Sequence, residues 1–188
     1  MDADSRTSDS PRGPDDVRAD DVRAGDVPEL GDDGWSRDNC SVVRALEVLG
    51  RRSTLLLLRE AFLGTSRFDD FARRVGVTES VAAARLRELV ANGLLERHPY
   101  REPGQRTRHG YRLTAKGRDL LPVVLALMTW GDRYLADPGG PPLVVTHADC
   151  GAPVRAEARC ADGHLVTAHQ ARPHAGPGAQ RTQMATGR

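Results

Sequence analysis

The sequence predicts a mostly α-helical fold with one small β-hairpin, an α+β class, and three observations support this prediction. Short segments between residues 40 and 91 carry apolar residues at helical spacing and are separated by glycines. Two short runs, residues 94–100 and 109–113, read as strands around a Gly/Pro turn. An apolar stripe at helical spacing then continues to about residue 136. Helices, a hairpin and a long helix in this order predict a winged helix-turn-helix with a long C-terminal dimerisation helix and a small C-terminal hairpin module.

The first three helices are predicted at residues 40–49, 54–63 and 67–75, from their apolar spacing and from the glycine that follows each. The second contains four consecutive leucines, so we expect it to be buried on most sides. Gly76 and Val77 are expected to form the turn that leads into the fourth helix.

The fourth helix is predicted at residues 79–91, after the N-cap residue Thr78. Its apolar spacing predicts an inward face made of Val81, Ala82, Leu86 and Leu89. Its outward face is predicted to carry Ser80, Ala83, Ala84 and Arg87, with Arg85 at the margin. In a helix-turn-helix, a helix at this position lies in the major groove of DNA.

The predicted hairpin loop is rich in arginine, at Arg101, Arg106 and Arg108. Residues 85–118 hold nine Arg or Lys and three Glu, a balance of +6 in a chain whose net charge is +1. This block predicts contact with the DNA backbone or the minor groove. The alternative is a solvated charged face with local ion pairs, for example between Arg85 and Glu88.

The last helix is predicted at residues 115–136, after the N-cap residue Thr114. Its apolar stripe repeats over five turns, at Leu120, Leu121, Val124, Leu127, Met128, Gly131 and Leu135. One small domain offers no core for a stripe of that length, so a second copy of the chain is predicted to cover it.

The segments around this domain, which is predicted at residues 36–137, differ from it in composition. Residues 1–35 hold eleven Asp or Glu and four Arg with few large apolar side chains, which predicts a disordered acidic tail. That tail is either a solvated segment or a shield for the basic face. Residues 138–142 are predicted as a linker, residues 143–170 as a small β-hairpin module, and residues 171–188 as a disordered tail.

Four motifs occur in order along the chain: CSVVRALEVLGRRSTLLLLREAFLGTSRFDDFARRV, RLRELVANGLLER, GQRTRHGYRLTAKG and LMTWGDRYL. With these motifs, residues 38–136 resemble the HxlR-type winged helix-turn-helix transcription regulators. The resemblance implies a dimeric, cytoplasmic bacterial regulator whose first and last helices form the dimer interface. It also implies that helix 79–91 is the recognition helix and that loop 101–108 is the wing.

The chain departs from the pattern of this family at two places. Family members often carry basic or large polar residues early in the recognition helix, where this chain has Glu79, Ala83 and Ala84. Ser80 and Arg87 are therefore expected to make more of the hydrogen bonds to bases, while alanine can contact a thymine methyl. Gly110 stands where an acidic residue is usual. The predicted DNA-contacting residues are Thr78, Ser80, Ala83, Ala84, Arg85, Arg87, Arg101, Arg106 and Arg108.

Cys40 is placed at the N-terminus of the first predicted helix. The helix dipole and nearby Arg44 are expected to lower the pKa of a thiol there. The resemblance implies a further role, because some family members sense electrophiles or oxidants with a cysteine at this position. The alternative is a small buried apolar side chain.

His147-x2-Cys150 and Cys160-x3-His164 have the ligand types and the pairing of a structural zinc site, with nine residues between the pairs. Gly163, however, stands where a zinc ribbon would have its fourth thiolate. A metal-free hairpin and a redox pair of Cys150 with Cys160 are the alternatives. No other cofactor is predicted.

The sequence therefore predicts a DNA-binding transcriptional regulator, a repressor that acts as a homodimer on a palindromic operator in double-stranded DNA. Two alternatives remain: a regulator that senses thiol chemistry or metal through Cys40 or through the His147, Cys150, Cys160 and His164 set, and a winged-helix adaptor that binds protein instead of DNA. The absence of a nucleophile elbow, a phosphate loop and paired carboxylates argues against an enzyme. Three cysteines and no apolar run of about 18 residues favour the cytoplasm and no membrane partner.

Overall fold

The computed structural model describes residues 39–101, 107–173 and 178. The predicted acidic tail at the N-terminus lies outside the described residues, as does most of the predicted C-terminal tail. Arg106 of the predicted wing lies outside them as well.

The larger of two compact units contains the described residues up to Glu157, together with Gly178. It begins with four helices, α1 Ser41–Leu49, α2 Arg52–Phe62, α3 Phe68–Val75 and α4 Glu79–Ala91. A two-stranded antiparallel sheet follows, made of β1 Leu95–Tyr100 and β2 Arg108–Leu113. The last helices are α5 Ala115–Arg118 and α6 Leu121–Leu135. This order confirms the predicted winged helix-turn-helix and its mixed α+β class.

The long C-terminal helix is present as α6, but the prediction of one continuous helix over residues 115–136 is wrong. α5 ends at Arg118, and α6 begins at Leu121. Pro122 lies in the first turn of α6, where the missing N–H of proline has no helical partner to lose. In a continuous helix, the ring of Pro122 would clash with the carbonyl of Arg118. The helix therefore ends and starts again.

The core of the larger unit lies where α2, α3, α4 and β1 meet. Its fully buried large apolar side chains are Leu57, Leu58, Phe71, Leu86, Leu89 and Leu95. The ring of Phe71 also contacts Tyr111 of β2 edge-on, with the ring centroids 6.1 Å apart. This packing fixes one side of α4 against the rest of the unit.

The turn between α3 and α4 follows from two residues. Gly76 ends α3 with φ of +69°, a left-handed conformation that glycine adopts without a side-chain clash. Thr78 then caps α4, because its hydroxyl accepts a hydrogen bond from the N–H of Val81 at 3.3 Å. The turn sets the angle at which α4 leaves α3.

Glu60, near the end of α2, is charged and buried. Its carboxylate accepts hydrogen bonds from Arg59 at 2.6 Å and from the Thr65 hydroxyl at 3.2 Å, and an Arg74 nitrogen lies 3.8 Å away. The N–H of Thr65 donates to the carbonyl of Glu60 at 2.9 Å. These contacts link the end of α2 to α3 and so support the helix-turn-helix.

Residues after α6 form short turns where the sequence predicts a single hairpin. One turn is closed by an isolated bridge between Thr146 and Pro153 and belongs to the larger unit. Another is closed by a bridge between Arg159 and Leu165 and belongs to the smaller unit, whose described residues are 158–173. The small hairpin module predicted at residues 143–170 stays a prediction. Each turn spans few residues and buries almost no apolar surface, so neither builds a core of its own.

Candidate nucleic-acid interface

The side of α4 that faces away from the core carries the predicted recognition residues. Ser80 and Arg87 are exposed, whereas Ala83 and Ala84 are half-buried. The placement of Val81 on the inward face is wrong, because 40% of the residue is exposed. Val81 lies on the wall of a cleft between α4 and the start of α2, which solvent enters. The first turn of α4 therefore presents a hydroxyl and an apolar side chain.

The two hydroxyls at the start of α4 are already in contact. The Thr78 and Ser80 hydroxyl oxygens lie 3.0 Å apart, and the Thr78 oxygen also caps the helix. Ser80 makes no such capping bond, so its hydroxyl has more capacity to contact an added ligand than that of Thr78.

The two arginines of α4 have different surroundings. The Arg85 side chain is only 16% exposed, and it donates to the Glu88 carboxylate at 2.5 Å, the local pairing weighed in the sequence analysis. The Arg87 Nε donates to the carbonyl of Ala83 at 3.2 Å. Within the part of the chain that the structure describes, the exposed Arg87 guanidinium has no carboxylate partner. Arg87 is therefore the better placed of the two for a phosphate or a base.

Two arginines that the sequence analysis did not select extend this surface. Arg52 begins α2 and Arg51 is its N-cap residue. Both line a cleft of about 440 Å³ with Arg85, beside the turn at Gly76. Their sequence signal is a pair of arginines between Gly50 and a helix. That signal does not predict that the two arginines lie close to α4, because their position depends on how α2 packs against α4.

The hairpin carries the other basic side chains. Arg108 lies 3.5 Å from the Asp69 carboxylate of α3, and both side chains are largely exposed. Arg112 donates to Glu96 across the strands at 2.9 Å. Arg101 precedes the part of the loop that is not described, and its side chain is exposed. The predicted wing is thus a β-hairpin with arginines on its exposed surface.

Arg97 of β1 is a further residue that the sequence analysis missed. It lines two hollows, one of about 410 Å³ with Phe68 and Tyr100, and one of about 350 Å³ with Arg87. Arg97 pairs with Tyr111 in the strand register, which positions it between the hairpin and α4. Its role depends on this register, which the spacing of the strands alone does not define.

The structure explains why Gly110 is compatible with the wing. It is buried opposite His98, and a Cβ atom at position 110 would lie 2.7 Å from the His98 ring and 3.2 Å from the carbonyl oxygen of Ser66. The imidazole of His98 therefore occupies the space that a side chain at position 110 would need. The sheet keeps its register without an acidic residue there.

α1 and α6 carry a set of exposed apolar side chains. The larger ones are Val42, Val43 and Leu46 on α1, and Leu121, Val123, Leu127, Trp130, Tyr134 and Leu135 on α6. Exposure reaches 65% at Val42 and 71% at Leu135. Among the described residues, no helix is long and apolar enough to cross a membrane.

Cys40 is the N-cap residue of α1 and is half-buried. Its carbonyl accepts the first helical hydrogen bond, from the N–H of Arg44 at 3.1 Å. This geometry matches the predicted place of Cys40 at a helix start. Its role in sensing stays a prediction.

The predicted metal ligands are found as two pairs. The Cys150 sulfur lies 3.4 Å from Nδ1 of His147, and the Cys160 sulfur lies 3.5 Å from Nδ1 of His164. Asp162 joins the second pair, and the three candidate ligand atoms lie within 4.8 Å of one another. No other group of three such side chains was found among the described residues. The four-residue zinc site stays a prediction.

The chain is similar to known transcription regulators. A sequence model described as HxlR-like helix-turn-helix matches residues 48–138. The uncharacterized HTH-type transcriptional regulator Rv3095 of Mycobacterium tuberculosis is 46% identical over 139 residues, which cover 73% of this chain and 87% of that protein. The uncharacterized HTH-type transcriptional regulator YdeP of Bacillus subtilis is 32% identical over 109 residues, which cover 56% of this chain and 84% of YdeP.

Solved structures agree with these relatives. The crystal structure of PA1607, named as a proposed transcription factor, aligns with a TM-score of 0.65 at 34% identity and covers 73% of this chain and 96% of its own. PA1374 from Pseudomonas aeruginosa, also named as a proposed transcription factor, aligns with a TM-score of 0.51 at 37% identity. The alignment covers 75% of this chain and 95% of PA1374.

Proposed function

The chain belongs to the HxlR-like helix-turn-helix family, and we propose that it acts as a homodimer that binds a palindromic operator and represses transcription there. Like the other members of that family, it is a DNA-binding transcriptional regulator and not an enzyme. The observation that carries this proposal is the exposed face of α4 next to an arginine-rich hairpin. α4 and the hairpin pack into the same hydrophobic core, so their relative positions are fixed.

α4 reads the major groove in this proposal. Arg87 donates to a base edge or a phosphate, and Ser80 donates or accepts at the start of the helix. Val81, Ala83 and Ala84 contact thymine methyl groups, since small apolar side chains suit that contact. This division of roles fits a recognition helix with few large polar residues.

The wing contacts the backbone or the minor groove through Arg101, Arg106 and Arg108. Arg108 first exchanges its pairing with Asp69 for a phosphate. This exchange costs little free energy, because an exposed ion pair contributes only about 0–1 kcal/mol to stability. Arg97, between the hairpin and α4, is placed to join these contacts.

Arg51 and Arg52 contact the backbone on the other side of α4. They line the cleft beside the helix-turn-helix turn, together with Arg85. Arg85 contributes there only when its bond to Glu88 opens. Arginine suits this role because its guanidinium can make two parallel hydrogen bonds to a phosphate.

The exposed apolar side chains of α1 and α6 form the dimer interface in this proposal. Nine large side chains on two helices are more apolar surface than isolated residues on a monomer would explain. A symmetric dimer covers the same surface on both copies and presents two recognition helices to two half-sites.

Salt-dependent binding tests the contacts. Each phosphate contact contributes about 0.9 to the slope of log affinity against log salt. We expect Arg108→Ala to lower that slope by about one contact per protomer. We expect Arg87→Ala to weaken specific binding by about 1–3 kcal/mol if it contacts a base. Arg155→Ala, at an exposed arginine beyond α6, is the matched control and leaves both quantities unchanged. Unchanged affinity and slope in the first two variants would contradict the assigned surface.

A reporter assay tests repression by promoter occlusion. With the operator between the promoter elements, the regulator lowers expression. With the same operator moved far upstream, expression returns to the level without the regulator. Activation from either position would contradict the proposed mode and leave DNA binding intact.

A further inference from the structure

The turn at residues 158–166 brings three metal-ligand types together. Cys160, Asp162 and His164 offer a thiol, a carboxylate and an imidazole, and their candidate ligand atoms all lie within 4.8 Å of one another. Asp162 and His164 are exposed, so an ion can reach them from solvent. Zinc prefers this mixture of sulfur, nitrogen and oxygen ligands.

The spacing within this set agrees with zinc coordination. Bond lengths of about 2.3 Å to sulfur and about 2.0 Å to nitrogen, at a tetrahedral angle, separate the two ligand atoms by about 3.5 Å. The Cys160 sulfur lies 3.5 Å from Nδ1 of His164. The two side chains therefore hold the separation that one shared ion requires.

The backbone holds these side chains in place. The N–H of Cys160 donates to the carbonyl of His164 at 3.0 Å, and the N–H of Gly163 donates to the carbonyl of Cys160 at 2.9 Å. Arg159 adds a bond to the carbonyl of Gly163 at 2.8 Å. Gly163 itself has φ of +82°, which favours glycine. The ligands thus project from a tight turn rather than from a free segment.

The same turn has little else to hold its fold. Most of the smaller unit's described residues are exposed, and none of them is buried. Small modules without a core usually depend on a disulfide or a metal. We propose that Cys160, Asp162 and His164 bind a divalent cation of the zinc class, with water completing the coordination, and that the ion stabilises this turn. On binding, the Cys160 thiol releases its proton to solvent, and the thiolate becomes a ligand.

Cobalt titration of the full-length reduced chain, after removal of metals, tests the proposal. Co²⁺ occupies zinc sites, and thiolate ligation gives a charge-transfer absorption band in the near ultraviolet. We expect one equivalent of Co²⁺ to give a band of one-thiolate intensity and one equivalent of Zn²⁺ to abolish it. Absence of the band would overturn the proposal.

Variants assign the ligands. Cys160→Ser is expected to abolish the band, and Asp162→Asn and His164→Ala are each expected to weaken Zn²⁺ binding roughly 10-fold or more in competition with a chromogenic chelator. Retention of the wild-type band in Cys160→Ser would overturn the site. Helical circular dichroism that matches the wild type shows that each variant is folded.

The His147 and Cys150 pair is the matched control, since its sulfur and nitrogen are 3.4 Å apart as well. Cys150→Ser is expected to leave the band unchanged. If Cys150→Ser removes half of a two-thiolate band, the three-residue ligand set is wrong and the four-residue set predicted from the sequence replaces it.

Gly163→Ala is expected to weaken Zn²⁺ binding by up to about 30-fold, because alanine pays the free-energy cost of a left-handed conformation that glycine does not. Gly151 also has a left-handed conformation, with φ of +69°, but it lies beside the control pair. Gly151→Ala is therefore expected to leave Zn²⁺ binding unchanged.

Discussion

Replacing Leu127 with aspartate is predicted to separate the proposed dimer into folded monomers. Leu127 lies near the middle of α6 and is 52% exposed in the single chain. The substitution therefore removes little of the packing inside one protomer. In the dimer, the same position lies within the proposed interface of α1 and α6, and the substitution places two like charges there.

The size of the effect follows from the exposed fraction. Full burial of a leucine side chain contributes about 1.5–3 kcal/mol, so covering the exposed half of Leu127 contributes about 0.8–1.6 kcal/mol per copy. Two copies contribute about 1.6–3 kcal/mol, or about 10- to 150-fold in the dimer dissociation constant. Two uncompensated carboxylates add several kcal/mol more. Together these contributions predict a rise in the dissociation constant of about 10³-fold or more.

Analytical ultracentrifugation over a range of concentrations measures this constant directly. Val144→Asp is the matched control, because Val144 is 59% exposed and lies outside both helices. We expect the control to match the wild type in dissociation constant and in unfolding temperature. Leu127→Asp should keep the helical circular dichroism of a folded chain and unfold at a lower temperature than the wild type, because it loses the stabilisation that dimerisation adds. The reasoning is refuted if Leu127→Asp sediments as a dimer with wild-type affinity, or if the wild type stays monomeric at every concentration.

Three further predictions test the fold and Cys40. Gly110→Asp should destabilise the protein by about 1–3 kcal/mol in urea unfolding, because the new side chain meets the His98 ring, and adding His98→Ala should recover part of the loss. An additive double mutant would contradict that contact. Glu60→Ala should lower the free energy of unfolding by about 1–3 kcal/mol, since the Thr65 hydroxyl loses its buried acceptor; an unchanged urea midpoint would contradict this. If Cys40 senses oxidants, hydrogen peroxide, which converts one thiol to a sulfenic acid and is reduced to water, should release the wild type but not Cys40→Ser from DNA. Equal release would exclude that role.

Local signals are sufficient to predict most of the fold and the position of the site. Gly76 and Thr78 predict the turn and the start of α4, because a left-handed glycine and a capping hydroxyl act within a few residues. The Gly/Pro loop between two strands likewise predicts the hairpin. Pro122 is the local signal for the break before α6, because proline is tolerated in the first turn of a helix and not in its interior.

The details that the sequence does not predict depend on tertiary packing. Apolar spacing places Val81 inward, yet the cleft beside α2 leaves it exposed. Arg51 and Arg97 reach the surface around α4 through the packing of α2 and through strand register, neither of which is local. Arg85 and Glu88 could pair or stay apart on spacing alone, and the structure shows the pair.

Selection of binding sites from random DNA, followed by the mass of the complex on the enriched site, tests the central claim most directly. We predict an inverted repeat whose half-sites are centred about 34 Å apart, one turn of DNA, and two protomers on each duplex. Enriched sites without symmetry, or one protomer on each duplex, would contradict the dimeric reading. Equal retention of all sequences that disappears as salt rises would contradict sequence-specific recognition by α4.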